Sequence, residues 1–557
     1  MPIPIKKCLV FWLLLAAGFS LFPPFLSAQE TSPEAKLANL SHSFVVDGKT
    51  IDTKTYLDQA WETKGRAGLF ANGGMNWDPQ TRKWTAKPAL PADFSKAVAH
   101  YASWTATAGA LGLNIATTYH ELDLTDELAK FYSAFLKANF TTLGELRKTN
   151  SPEIKSKQLG PEWGPDSTRT LAWWADNNNG VMLRECFLCN EEYFVPVAGL
   201  VELVAKLKPE ERTSAMNQFV ADYVPLLVTD HILRLNFADL MRKQMIPTST
   251  NLKRRNMSEE EIGVVTAAAS VLGADAADRK LVALSSDDRA KLRDLVKVGV
   301  DRFEFSRTLT KDAIGRANAM YFKGDYDWLE DFDYVGYHDE PVPAPANKAK
   351  SKGTSWDIGH FNVVPVLLRT LYDNRAATGV DFPQTLDIEY IGNQYAFHVF
   401  EGDYKKPLFT NFFDGSDGWY RVSYLGREGY GVAPSRFCNT FDKSHSCATI
   451  GAIYGWGLLA PLHAGVARVD AALLDLANSK DPSIACFSPQ CFRERYYRYA
   501  DSSFSFLDAQ GQLQYPPALI VLLSQLVLPV SSAEVKGDMQ NKPTSLNTSR
   551  ATERRSN

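Results

Sequence analysis

Residue types that could do chemistry gather in three stretches of the second half of the chain. The densest is Gly324-Asp325-Tyr326-Asp327-Trp328-Leu329-Glu330-Asp331-Phe332-Asp333-Tyr334, continuing to Tyr337-His338-Asp339-Glu340. Sugars present C–H faces that stack on aromatic rings, and hydroxyls that donate to carboxylates. Hydrolysis of a glycosidic bond needs two carboxyl groups, one protonated and one ionised. Crowded carboxylates raise one another's pKa and so can supply the protonated one. Two other readings stand beside this one. The stretch could be a solvated acidic loop with aromatic anchors. It could also hold calcium through Asp325, Asp327, Asp331 and Asp333, although their spacing is not that of an EF-hand.

The second stretch is Trp356-Asp357-Ile358-Gly359-His360-Phe361-Asn362, which leads into an apolar helix. Asn362 reads as the helix cap, and Pro365 suits a first turn. Val364, Leu367, Leu368 and Leu371 form a core-facing stripe. Asp357 and His360 therefore stand at the helix entrance, where they can hydrogen-bond. The imidazole can act as acid or base near neutral pH. The blander alternative has Asp357 ordering the turn and His360 packing as a satisfied polar residue. The third stretch is Phe413 to Val422, an acidic, Gly-containing turn followed by strand-like alternation. It sets Trp419 and Arg421 on one strand face and Tyr420 on the other. Arg421 could clamp the carboxylate of a uronic acid; Trp419 and Arg421 could equally be a buried ring and a structural cation.

The other histidines carry less. His120 reads as part of a surface turn, and His231, His398 and His463 as core or interface residues on helical patterns. There is no His-Glu-x-x-His, phosphate loop or Gly-x-Ser-x-Gly elbow.

Helical periodicity dominates the chain that must position these groups. Helices are predicted over Ala92–Leu113, Asp126–Leu146 with Thr125 as cap, Glu191–Leu207, and from Pro209 past His231 toward Met245. Others are predicted over Glu259–Leu272, Asp287–Phe305, Val364–Ala376, Phe382–Phe400 and Ala448–Ala477. Strands are few: Phe44–Val46 and Trp419–Leu425. Ala518–Pro529 is apolar but too short to span a bilayer, and reads as a buried terminal helix. Repeated helical hairpins predict a mainly α fold, an (α/α) toroid with a few short strands; a helical solenoid is the rival.

An acidic residue, then a small residue and a His, opening an inner helix after an acidic loop, resembles a pattern of six-hairpin glycosidase and polysaccharide-lyase-like toroids. It maps here onto Asp357, Gly359 and His360, within a hairpin region of about Ala92 to Leu528. The resemblance implies cleavage of a polysaccharide or oligosaccharide, with hydrolysis favoured. Asp333 or Asp331 would be the general acid, and Asp357 would activate water with His360 orienting it. Trp328, Tyr337 and Trp419 would hold sugar rings. In the alternative, a uronate lyase, His360 or a tyrosine removes the C5 proton and Arg421 neutralises the carboxylate. A third class is a non-catalytic glycan-binding or envelope scaffold protein.

The ends and the composition set the compartment. Lys6 and Lys7, the apolar run from Leu9 to Phe22, and Leu26-Ser27-Ala28 read as a secretory signal over residues 1–28. An N-terminal extension over 29–90, a helical domain over 91–529 and a polar, disordered tail over 530–557 complete the expected organisation. The expected location is secreted or periplasmic, with no integral span after cleavage. Of the seven cysteines, Cys8 goes with the signal. The remaining six fall in close pairs, Cys186/Cys189, Cys438/Cys447 and Cys486/Cys491, which read as local disulfides; zinc held by Cys186, Cys189 and another pair is the rival. A net charge of −4 gives no broad basic field for nucleic acid. No cofactor is implied beyond the open calcium reading.

Overall fold

The computed structural model describes residues 37 and 39–529 except 71–74, 79, 82, 87–93, 140–157, 160–173, 177–181, 186, 234–235, 246–256, 313, 324–354, 421, 423–430, 439–444, 448, 450, 489 and 499–502. The fold is mainly helical. Its centre is the helix Glu259–Ala277. Ser258 starts it with a capping box: its hydroxyl accepts from the Glu261 N–H and its own N–H donates to the Glu261 carboxylate at 2.8 Å. Beyond that first turn every residue from Ile262 to Asp275 is buried. A helix apolar on all sides has to be interior. The helices Phe187–Lys206, Ser286–Phe305 and Val363–Asp373 pack around it. Gly273 and Gly299 permit this closeness: a Cβ on Gly273 would meet the Asn374 side chain at 2.2 Å, and one on Gly299 would meet Val265 at 2.5 Å. On the far side of Phe187–Lys206 lies Phe94–Tyr119, and against that lies Pro517–Leu526, the buried terminal helix expected from its apolar run.

Among the described residues the strands form small two- or three-stranded pieces. Ser43–Val46 and Lys49–Asp52 pair as a hairpin. Its turn residues Asp47 and Gly48 have φ of 52° and 76°, the left-handed pair that a tight hairpin demands. The segment containing it joins the same core: Phe44 packs on Tyr56 and Phe506, and the Tyr56 hydroxyl donates to the Gln514 carbonyl. A second hairpin, Arg307–Lys311 with Ala317–Phe322, lies on the helix Thr385–Gln394.

Several predicted elements change form. Thr125 lies inside Leu122–Asn139, its hydroxyl bonded back to the Glu121 carbonyl rather than capping. The long helix from Pro209 is broken into Ser214–Pro225, a π turn Leu226–Ile232 and Phe237–Gln244, with Asn236 in the left-handed region at φ 47°. Ala448–Ala477 is helical only over Ala464–Asn478. Before it, Gly451, Gly455 and Gly457 accompany a run of 3₁₀ turns, and His463 caps the helix by accepting from the Val466 N–H. Asn362 does stand at the start of Val363–Asp373, but its side chain makes no capping hydrogen bond.

Two of the expected disulfides are formed, Cys438–Cys447 and Cys486–Cys491. Cys186 lies outside the described residues, so the third pair does too. Among the described residues no helix is long and apolar enough to cross a membrane.

Asp470 sits inside Ala464–Asn478, fully buried, and among the described residues neither of its oxygens has a hydrogen-bond partner. Burial pushes its carboxyl well above the ordinary carboxylate range. The folded state therefore keeps a proton that the unfolded chain releases near its ordinary carboxylate pKa. Stability contributed by this group falls as pH rises above that value, by about 1.4 kcal/mol per pH unit while the difference of one proton lasts. Asp470→Asn should flatten this part of the profile, so that its urea midpoint exceeds that of the wild type more at pH 8 than at pH 5. An equal gap at both values would show that Asp470 does not hold the proton.

Candidate active site

The stretch Ser355–Ile358 is stitched between two parts of the fold. Ser355 bridges to Lys323 and its hydroxyl donates to the Phe322 carbonyl. On the other side Asp357 bridges to Phe412; the Trp356 carbonyl accepts from Phe413 at 2.8 Å, and the Ile358 N–H donates to the Asn411 carbonyl at 2.9 Å. The chain then turns into the helix Val363–Asp373. Within that turn the Asp357 carboxylate takes both hydrogen bonds that His360 can offer it. One oxygen accepts from the His360 backbone N–H at 3.1 Å, and the other lies 2.6 Å from His360 Nδ1.

Asp357 is completely buried, whereas the His360 side chain is 20 % exposed. A carboxylate at Nδ1 places the ring proton there. In the neutral imidazole Nε2 then carries the lone pair, the arrangement in which a histidine accepts a proton on its exposed side. Opposite Nε2, at 3.7 Å, stands Oε1 of Glu259, the first residue of the central helix. Two residues further on, in the same first turn, Glu261 forms a buried ion pair with Arg302 at 2.7 Å, which fixes the start of that helix.

The core packed against the turn is aromatic. Phe361, next to His360, stacks on Phe413 with centroids 3.9 Å apart, and Trp456 stacks on Tyr395 at 4.1 Å and also faces Phe361. Glycines bring the segment 451–455 against the turn. A Cβ on Gly451 would lie 2.9 Å from Gly359 Cα, and one on Gly455 would lie 2.5 Å from the Asn362 carbonyl. Gly451→Ala should therefore push directly on the residue between Asp357 and His360. Any turnover should fall at least about tenfold while the loss of stability stays in the range usual for overpacking, about 1–3 kcal/mol. Unchanged activity in the folded variant would show that the turn absorbs the methyl group.

Of the expected aromatic and basic partners, Trp419 alone lies among the described residues. Trp419 is fully enclosed in a small cluster with Val422 and Ala433, so its ring offers no face for a sugar. Tyr420 points the other way and is the one beside the dyad. A Cβ built on Gly359 would lie 3.4 Å from its hydroxyl and 3.2 Å from Asp357 Oδ1. Asp331, Asp333, Trp328, Tyr337 and Arg421 lie outside the described residues, as do the calcium candidates Asp325 and Asp327. Lys323 bridges to Ser355, which stands two residues before Asp357. Among the described residues no cluster of His, Cys, Asp and Glu has the arrangement of a metal site.

A second carboxyl group lies behind the dyad. Asp417 accepts from the Asn411 N–H at 3.0 Å, while the carbonyl of that same Asn411 receives Ile358. Burial, opposed by backbone N–H donors and assisted by Glu401, pushes its carboxyl up to about 6. The Ser435 hydroxyl donates to Glu401 and completes this corner.

Sequence reasoning had Asp357 and His360 together and missed Glu259. The only signal for Glu259 is the acidic first turn Glu259-Glu260-Glu261 after Ser258, which reads as ordinary helix capping. Compared with known proteins, the chain matches no family model, no curated protein and no solved structure.

Proposed function

We propose that the chain is an exported carbohydrate-active enzyme that cleaves a polysaccharide or oligosaccharide by proton transfer at His360, with hydrolysis favoured. The observation that carries this reading is the orientation of His360: Nδ1 against enclosed Asp357, and Nε2 toward half-buried Glu259. Asp357, both of whose oxygens contact His360, acts by positioning. Water activation then belongs to His360 Nε2 or to Glu259 rather than to Asp357. The base takes a proton from water as the water oxygen bonds to the anomeric carbon. The glycosidic C–O bond breaks, and the departing oxygen takes a proton from a carboxylic acid, for which Asp331 and Asp333 remain the candidates.

Support for export is the pair of cystines, which form in oxidising compartments. The (α/α) toroid remains the proposed arrangement of the helices, with the central helix Glu259–Ala277 inside and its neighbours around it. The uronate lyase is the second reading, favoured by one feature: an Asp-oriented imidazole is also suited to abstracting a C–H proton.

Mass spectrometry of products from a panel of neutral, amino and uronate glycans tests the reading. Fragments carrying one added water support hydrolysis. Unsaturated fragments without added water move the assignment to elimination. Product formation unchanged by His360→Asn refutes both.

A further inference from the structure

Two short strands bear on the dyad turn. Gly431–Ala433 and His445–Cys447 run parallel, with Val432 opposite Ser446 and Ala433 opposite Cys447. Each reaches the turn by its own route. Val432 exchanges both backbone hydrogen bonds with Tyr420, at 3.1 and 2.8 Å, and the Tyr420 hydroxyl lies 3.4 Å from where a Cβ on Gly359 would stand. Cys447 lies four residues before Gly451, which packs against Gly359 Cα, and Gly455 packs against the Asn362 carbonyl. A parallel ladder this short is weak, and two strands alone are marginal in water. Cys447 ends the second strand, and its disulfide to Cys438, five residues past Ala433, ties the two together covalently. Both half-cystines are buried, and the Cys438 carbonyl accepts from Arg495 Nε at 3.0 Å.

We infer that the Cys438–Cys447 cystine is a positioning link for the His360–Asp357 dyad, so that the site is in working order only when this pair is oxidised. Joined, the two strands hold Tyr420 and Gly451 against the turn; opened, they release it, and the imidazole loses its fixed tautomer. The inference rests on the proton-transfer reading above and adds the redox state on which it depends. Opening is a two-electron step. A dithiol gives up two electrons and two protons as its own sulfurs join, the Cys438–Cys447 S–S bond breaks, and each cysteine sulfur is left as a thiol. The second cystine, Cys486–Cys491, closes a short loop between Ala464–Asn478 and Phe492–Tyr497, and supplies the comparison.

The experiment is nitrogen magnetic resonance of the mature chain carrying isotope-labelled histidine, at about pH 8, where an ordinary imidazole is neutral. The His360 signals are those missing from His360→Asn. In the wild type the ring proton should sit on Nδ1. In the double variant Cys438→Ser/Cys447→Ser, and in the wild type reduced by a dithiol, the signals should move toward the Nε2-protonated form that a free imidazole prefers. On the most active glycan kcat should fall about 10–100-fold with KM little changed. Cys486→Ser/Cys491→Ser should leave both readings as they were. A wild type with the proton on Nε2, unmoved His360 signals in the folded double variant, or an equal shift in both double variants overturns the inference. So does a wild-type cystine that opens only as the whole chain unfolds, read by alkylating the freed thiols alongside circular dichroism; this covers a double variant that does not fold. The nitrogen signals need no turnover, which separates the two levels. If cleavage depends on His360 but the signals ignore the cystine, only this inference fails. If the signals follow the cystine but cleavage does not depend on His360, the underlying reading fails.

Discussion

Replacing His360 with Asn should lower turnover by about 10²–10⁴-fold, the range set by losing a positioned acid or base. The loss should fall on kcat, with substrate affinity little changed, because Asn fills most of the same space and can still accept or donate at the turn. Asp357→Asn should cost a comparable factor for a different reason. An amide at that position no longer demands a proton at Nδ1, so the ring can adopt the tautomer with Nε2 protonated and lose its base on the exposed side. The burial of Asp357 and its 2.6 Å approach to Nδ1 make this a change of proton position rather than of shape. Steady-state kinetics on the most active glycan, with circular dichroism to establish folding, measure both. Wild-type kcat in a folded His360→Asn chain sinks the assignment of His360 as the proton-transfer group.

Arg302→Met should destabilise the chain by about 3–5 kcal/mol, the cost of leaving the partner of a buried ion pair uncompensated. The guanidinium is wholly buried and lies 2.7 Å from Glu261, itself only 5 % exposed. Adding Glu261→Gln removes the stranded charge but keeps an acceptor for the Ser258 N–H, so the double variant should recover much of the loss. Denaturant unfolding of the two single variants and the double, combined as a cycle, measures the coupling. Additive single effects would show that the pair contributes little. Because Glu261 lies within the turn that presents Glu259, the single Arg302 variant should also disturb activity more than its stability loss alone explains.

The helices and the dyad were legible because both are written in local order. Period-3.6 apolar runs mark the helices, and an Asp three residues before a His at a helix entrance can reach it within one turn. What escaped the sequence depends on contacts between distant segments. Glu259 joins His360 only because Val363–Asp373 packs on Glu259–Ala277. Alternation separated Trp419 from Tyr420 but could not say what each face meets: Trp419 is enclosed with Val422 and Ala433, and Tyr420 lies beside Gly359. The helix over Ala448–Ala477 failed where Gly451 and Gly455 trade helical continuity for close approach to Gly359 and Asn362. The acidic, aromatic stretch that first suggested sugars, and with it Asp331, Asp333, Trp328 and Tyr337, lies outside the described residues.

The dyad turn is held by the start of the helix at Glu259, by the segment 411–413 and by the glycines at 451 and 455. These parts are far apart in the chain, and contacts of such separation form slowly because long loops must close first. A chain crossing a membrane unfolded would therefore carry its helices early and its chemistry late. Under the proposed export and activity, refolding should show helical signal returning before His360-dependent turnover.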